Sequence, residues 1–363
     1  MKIALLNYTI GIVERGGELG TQMLADDLSL LGHQVDVFQG QALKKKTNHN
    51  QIIINLPSTP TSRKPKNFLG KILERLYFDK NGLLSLLFSF QSFPKLITTS
   101  YDIYFPVNGF WQILICKLAK LLNAGKIVVS GKSGIGWTDR HNLSLRPDLF
   151  VPISKKAQKW AKKIAPDINV QYIPEQIDHQ KFNPSIKPKK LFLSHPIILT
   201  VAAFTKYKRI DAVIKAVSKL KSASLLIVGH GEEKESLTQL SHKLLKDRFK
   251  IITSTYQELS TIYTACDVFT LASEPQEAFG RVLIEAMACG LPIVTTDDPL
   301  RRSLLGKMAI YTDITNPDKY ATALNKALKN KPQTSQLIKQ TKQYDRQIIA
   351  KQYLKLFQQI IKE

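Results

Sequence analysis

Short apolar runs alternate with longer amphipathic ones along most of this 363-residue chain. Residues 2–6 read as a strand, 19–31 as a helix stopped by Gly32, and 34–38 as a second strand, which predicts a parallel sheet built from βαβ units. Residues 102–107, 126–130 and 170–173 read as further strands of the same half. A Pro- and Lys-rich run over 184–190 then marks a hinge. The alternation resumes with strands at 197–202, 224–228, 249–252 and 268–271, and with helices at 210–220 and 232–245, so a second doubly wound α/β domain is expected. A helix over 317–328 and an amphipathic helix over 348–361 close the pattern.

The most informative stretch runs from Ser273 to Thr296, SEPQEAFGRVLIEAMACGLPIVTT. Its turn and breaker residues bracket a short helix over about 280–289, followed by a strand at 293–295. The helix is apolar on nearly every face and should be buried, yet Glu285 sits in its middle. A buried carboxylate needs a dedicated partner, because unpaired burial of charge costs several kcal/mol. Glu277 precedes the same helix by a short loop. Between the two acids, the backbone N–H groups of Phe279, Gly280 and Arg281 are orphan donors at a helix N-terminus, suited to an anion or a hydroxyl-rich ligand. The plain alternative is a buried helix whose Glu285 pairs with a structural Lys or Arg.

Three other turns carry candidate chemistry. Gly16 and Gly17, beside a helix N-terminus, can present their amides to phosphate, or form a tight turn with no ligand. Lys208 and Arg209 follow a strand and begin a helix, which suits them to charge-assisted hydrogen bonds with diphosphate oxygens. Gly229-His230-Gly231 has Lys234 where a dinucleotide fingerprint needs its third glycine. Gly131-Lys132-Ser133 is likewise no P-loop, because Lys126 stands where that motif needs its first glycine.

The string Glu277-x7-Glu285, with Phe279-Gly280 after the first acid and Ala286 to Pro292 after the second, resembles the signature of the group 1, family 4-like, retaining glycosyltransferases. The opening string RGGELGTQMLADDLSLLGHQVDVF and the turn AAFTKYKRID resemble the same family. The resemblance implies a GT-B architecture: two Rossmann-like doubly wound domains facing a cleft, with a C-terminal helix crossing back. The expected limits are 1–184 for an acceptor-side domain, 185–345 for a donor-binding domain and 346–363 for the returning helix. By the same resemblance Glu277 is the catalytic candidate at the donor sugar, Glu285 accepts from ribose hydroxyls, and Lys208 is the phosphate-binding lysine. Gly16, Gly17, Arg209, Phe279 and Gly280 complete the expected donor site. Two departures stand out. Ala203 occupies the place of the family's arginine, which leaves Arg209 to supply the charge, and Ser130-Gly131 stand where a histidine is usual, which leaves Asp139 and His141 as further candidates. The implied donor is a nucleotide-diphosphate sugar. No metal or other cofactor is expected, and no Asp-x-Asp motif occurs in the sequence.

Composition narrows the partners. Hydrophobic residues are 44% and charged residues 22%, as in globular proteins, and the formal net charge is +23, which predicts attraction to anionic surfaces. Lys44 to Lys46 and Arg63, Lys64 and Lys66 precede an apolar, basic, aromatic-bearing stretch over 68–78 that is suited to a membrane interface; its alternative is to pack on the sheet. No apolar run reaches the ~18 residues of a membrane span, and the N-terminus reads as a strand and not as a signal peptide. Cys116, Cys266 and Cys289 read as buried thiols in a reducing cytoplasm. The expected setting is therefore cytoplasmic and peripheral to the inner face of a membrane, with a glycan or lipid-linked acceptor. A nucleotide-sugar epimerase of related fold is the rival reading. A basic nucleic-acid-binding protein is a further one, though no recognition motif is visible and no nucleic acid is expected.

Overall fold

A computed structural model describes residues 1–13, 16–44, 46–60, 67–107, 109–274 and 277–363. Arg15, Lys45, Arg63, Lys64, Lys66 and Pro275, all named above, lie outside the described residues. The chain divides into two units, one formed by Met1–Glu175 with Arg346–Glu363 and the other by Gln176–Asp345. The first break therefore falls nine positions before the expected limit at 184/185. Packing explains the displacement. The Ile177 amide donates to Tyr344 O at 2.8 Å, and Phe182 sets its ring against those of Tyr256 and Tyr263, so this segment already belongs to the second unit.

The first unit holds β1 (Lys2–Asn7), β2 (Gln34–Gln39), β3 (Asn50–Ile53), β4 (Ile103–Pro106), β5 (Lys126–Gly131) and β6 (Leu149–Pro152). They pair in parallel in the order β3-β2-β1-β4-β5-β6. Ile3, Ala4, Leu5 and Leu6 are all buried, as expected of a parallel strand covered on both faces. Residues 170–173 form no strand: Val170 makes a single bridge to Phe150 and the chain runs on as an irregular edge. Strands β3 and β6 were not anticipated. The first is half-buried and partly polar, and the second is only four residues long and ends in proline.

The last helix, Arg346–Lys362, belongs to this unit and packs beside the helix Gly16–Leu30. It buries Ile349, Ala350, Tyr353, Phe357 and Ile360, and Phe105 of β4 meets both Tyr353 and Phe357 edge to face. At its start, Arg346 Nε donates to both carboxylate oxygens of Asp27, at 2.9 and 2.8 Å. Among the described residues no helix is long and apolar enough to cross a membrane.

The second unit repeats the plan with β7 (Ile197–Val201), β8 (Ser224–Val228), β9 (Phe249–Ile252), β10 (Val268–Leu271), β11 (Ile293–Thr296) and β12 (Ala309–Thr312). The order β12-β11-β10-β7-β8-β9 is the same doubly wound topology read from the opposite edge. In such sheets ligands bind beyond the carboxyl ends of the strands where the order reverses, here between β7 and β10. One stability test follows from the last helix. Replacing the fully buried Phe357 with alanine should cost the first unit about 3–5 kcal/mol, read as a lowered urea midpoint of one unfolding transition.

Candidate functional site

The turn after β7 is held rigidly. Phe204 is fully buried, and its amide takes a hydrogen bond acceptor in His230 O at 2.8 Å. A Cβ at Gly229 would lie 1.9 Å from Ala202 O, and one at Gly231 2.5 Å from Phe204 O. The Gly-His-Gly sequence is thus a close-approach device that seats the β7 turn. A single 3-10 turn, Lys206–Lys208, follows, and Arg209 takes the left-handed conformation, φ +50°, before the helix Ile210–Ser218.

This geometry delivers Lys208 to the segment after β10. Its ammonium pairs with Glu277 Oε2, and the same carboxylate oxygen accepts from Ser273 Oγ at 3.1 Å. The Glu274 amide donates to Tyr207 O at 2.9 Å, tying the two turns together at the point where the strand order reverses.

Beneath this pair lies a residue that sequence reasoning missed. Arg301 is 1% exposed, forms an ion pair with Asp298, and donates to Ser273 through both its carbonyl oxygen, at 2.8 Å, and its hydroxyl, at 2.6 Å. Asp298 also caps the helix Pro299–Leu305, accepting from the amides of Leu300 and Arg301. The signal was available in Asp298-Pro299, an N-cap residue followed by proline at the first helical position. A chain of contacts therefore runs from Arg301 through Ser273 to Glu277 and Lys208.

The helix expected over 280–289 is observed as Arg281–Ala288, with Gly280 at φ +85° as its cap. Phe279 turns its side chain inward against Tyr344, 6.0 Å between centroids, so only its backbone can serve a ligand. Glu285 is 2% exposed and has a local pair: Arg281 Nε lies 3.3 Å from one oxygen, and Tyr263 donates its hydroxyl to the other at 3.2 Å. Burial raises the Glu285 pKa, opposed by Arg281, Tyr263 and Lys181. The structural pairing named as the alternative is therefore present. Arg209 does not join Lys208 at Glu277. Its Nε donates to Asp211 at 3.1 Å, and it lines a pocket of about 440 Å³ with Glu274, Asp297 and Asp313.

The remaining candidates belong to the first unit. Gly16 opens the helix Gly16–Leu30, and a Cβ at Gly17 would meet no described atom within 4 Å. Lys132 Nζ reaches Gly17 O at 3.3 Å and Glu175 Oε1 at 3.5 Å. Asp139 is 1% exposed beside Gly131. Its Oδ1 accepts from Asn142 at 3.2 Å, while Oδ2 has no hydrogen-bond partner among the described residues. Burial, offset in part by hydrogen bonds from Asn142 and Gly134, pushes its pKa up to about 7. His141 lies against Trp137, 4.2 Å between centroids, and near Tyr77, 5.6 Å; burial lowers its pKa, which leaves it neutral at pH 7. The two candidates are thus a sealed carboxyl and a ring within an aromatic cluster.

Residues 182–344 match the family model described as "Glycosyl transferases group 1". The chain is similar to the O-antigen biosynthesis glycosyltransferase WclY of Escherichia coli, 31% identical over 136 residues, which cover 37% of this chain and 38% of that protein. It therefore spans little more than a third of the first curated relatives it matches. Among solved structures, Anabaena HepE in complex with UDP and glucose superimposes with a TM-score of 0.75 at 16% identity, over 99% of this chain and 100% of that one. Sucrose-phosphate synthase from Thermosynechococcus elongatus gives 0.76 at 17%, over 100% and 99%. At such identities the likeness is one of fold.

Asp139 provides a test of the site's electrostatics. Its pKa is higher folded than unfolded, so its contribution to stability is complete below about pH 4 and is lost as pH rises to about 7. Asp139→Asn should therefore match the wild type near pH 4 and exceed it by about 4 kcal/mol at pH 8, read from urea unfolding across pH.

Proposed function

We propose that this chain, whose residues 182–344 belong to the group 1 glycosyl transferases and whose two α/β units have the GT-B type of fold, moves a sugar from a nucleotide-diphosphate sugar to a glycan or lipid-linked acceptor. Retention at the anomeric carbon and independence of metal are part of the proposal. The observation that carries it is the Lys208–Glu277 pair at the reversal point of the second sheet.

An arriving diphosphate competes with Glu277 for the ammonium of Lys208, since its oxygens also accept charge-assisted hydrogen bonds and it carries the greater negative charge. Glu277, still held by Ser273, is then released to orient the sugar hydroxyls. As the anomeric bond breaks, negative charge grows on the diphosphate. Lys208 and the amides of Phe279, Gly280 and Arg281 stabilise it as donors fixed in advance. The lysine takes the charge-neutralising part that a metal ion plays elsewhere. Glu285 serves the ribose hydroxyls through the lone pairs that Arg281 and Tyr263 leave, because a carboxylate accepts up to about four hydrogen bonds. Arg209, held by Asp211, adds positive field. Gly16 and Gly17 supply a further anion-accepting turn.

A second observation favours a lipid-linked acceptor. The helix Phe68–Arg75 buries none of its residues, which speaks against the alternative of packing on the sheet. Phe68 is 80% and Leu69 64% exposed, and Lys71 and Arg75 lie on the same helix. Such a helix fits an anionic membrane interface and supports the reading of a peripheral enzyme on the cytoplasmic face.

Two outcomes test these readings. A nucleoside diphosphate at about 100 times its dissociation constant should stabilise the protein by about 2.7 kcal/mol, with UDP first in a panel of bases. Lys208→Ala should abolish that shift and lower kcat/KM about 10²–10³-fold. Release of a free sugar or epimer from a nucleotide sugar alone, seen by NMR, would instead support the epimerase. Vesicles containing phosphatidylglycerol should sediment the protein and those of phosphatidylcholine alone should not; Leu69→Glu together with Leu73→Glu should abolish sedimentation.

A further inference from the structure

The first unit contains a pocket of about 380 Å³ to which none of the steps above assigns a ligand. Its apolar wall is aromatic: Tyr8, Tyr77, Phe110, Trp111 and Trp137. Its polar wall carries Glu74, Arg75, Asp79, Asn81, Ser85 and Thr138. The volume falls within the roughly 300–1,000 Å³ usual for small-molecule sites, and the lining combines large aromatic surface with a few convergent polar groups.

The pocket is built, not incidental. Two of the chain's three tryptophans line it, and both indole N–H groups are spent on its rim: Trp111 Nε1 donates to Tyr77 O at 2.9 Å and Trp137 Nε1 to Arg75 O at 3.3 Å. These bonds fasten the end of the helix Phe68–Arg75 over the cavity. Tyr77 itself is held at φ +60°, a conformation costly for an aromatic residue, by stacking on Phe110 at 5.3 Å between centroids and 6° between planes. Its hydroxyl has no hydrogen-bond partner among the described residues. Trp137 remains 48% exposed, with His141 against its ring and the Arg75 guanidinium 5.5 Å from its ring centroid, so the aromatic surface left accessible is edged by a cation beside the polar groove.

One ligand class uses both walls at once. A pyranose ring has an apolar face of C–H bonds, positively polarised, which lies on the electron-rich face of an aromatic ring, and a rim of hydroxyls that needs donors and acceptors in its own plane. A nucleobase would stack equally well, but it presents few groups to a polar wall of two carboxylates, a guanidinium, an amide and two hydroxyls. We propose that this pocket binds a pyranose unit, with Trp137 as its stacking platform, Trp111 as the residue that fixes the rim, and the side chains of Glu74, Arg75 and Thr138 as hydrogen-bonding partners. That this pyranose is the acceptor sugar rests on the transferase reading; that the pocket takes a sugar does not.

Tryptophan emission gives a direct readout, because Trp160→Phe leaves only the two pocket indoles as fluorophores. In that background, titration with methyl glycosides of glucose, galactose, mannose, rhamnose and N-acetylglucosamine should produce a saturable change with at least one of them, at millimolar sugar. Trp137→Ala should raise the apparent dissociation constant at least tenfold, with Trp111 still reporting, and Trp137→Phe should recover most of the affinity. The nucleoside diphosphate shift should be the same in all three proteins. No saturable change across the panel, or an unchanged titration in Trp137→Ala with its thermal midpoint preserved, overturns the proposal. Failure of the donor reading would register separately, as a missing nucleotide shift in every variant while the sugar titration stands.

Discussion

The second unit depends on a charge taken out of water. Arg301, buried among β10, β11 and its own short helix, is compensated by Asp298 and by two acceptors on Ser273. Breaking a buried pair of this type leaves an uncompensated ion and costs about 3–5 kcal/mol, so neither partner can drift without disturbing the fold. The rigidity is passed outward. Ser273 receives a hydrogen bond from Arg301 and gives one to Glu277, which limits where that carboxylate can point before any ligand arrives. Positioning of this kind is what a site gains from a buried, hydrogen-bonded network.

The same logic explains why the site lies at the ends of β7 and β10. Parallel strands covered on both faces are almost wholly apolar, as β7 and β10 are here, so chemistry-bearing side chains are confined to the turns that follow them. Those turns then need bracing of their own. The first is braced by Gly229 and Gly231, which admit the backbone of Phe204, and the second by the buried arginine. Lys208 and Glu277 meet because one support is a close backbone approach and the other a buried side-chain pair, and neither is a surface contact.

The sequence made some of this legible and hid the rest for physical reasons. Strands β7 to β10 follow apolar runs bounded by turn residues, and the expected β9 and β10 agree with the observed limits. The helix after Glu277 was visible from its glycine and proline brackets, within one residue at each end. By contrast β3 is half-buried and partly polar, β6 ends in proline and β12 is only partly buried, so none of them shows the wholly apolar run that marks a covered parallel strand. At the site, Lys208, Glu277 and Gly280 were legible through turn chemistry. Arg301 was not: Asp298-Pro299 announces the start of its helix, but nothing local announces that the charged residue one turn on will be buried. The partner of Glu285 had been anticipated only as some lysine or arginine; Arg281, one helical turn earlier, became identifiable once the segment was known to be helical. The break at 175/176 escaped notice because the segment after it is irregular, and its allegiance is decided by aromatic packing far away in sequence.

The path of the chain has a consequence for how the protein comes into being. The second unit is contiguous, Gln176–Asp345, whereas the first needs the helix Arg346–Lys362 to cover Phe105 and to pair Asp27 with Arg346 across 319 positions. During synthesis the later unit therefore has all its parts while the earlier one still shows an apolar flank. Closure of so distant a contact is slow, and an uncovered flank invites association with other chains in the meantime. The portion made first is completed last, and its protection until then has to come from outside its own sequence.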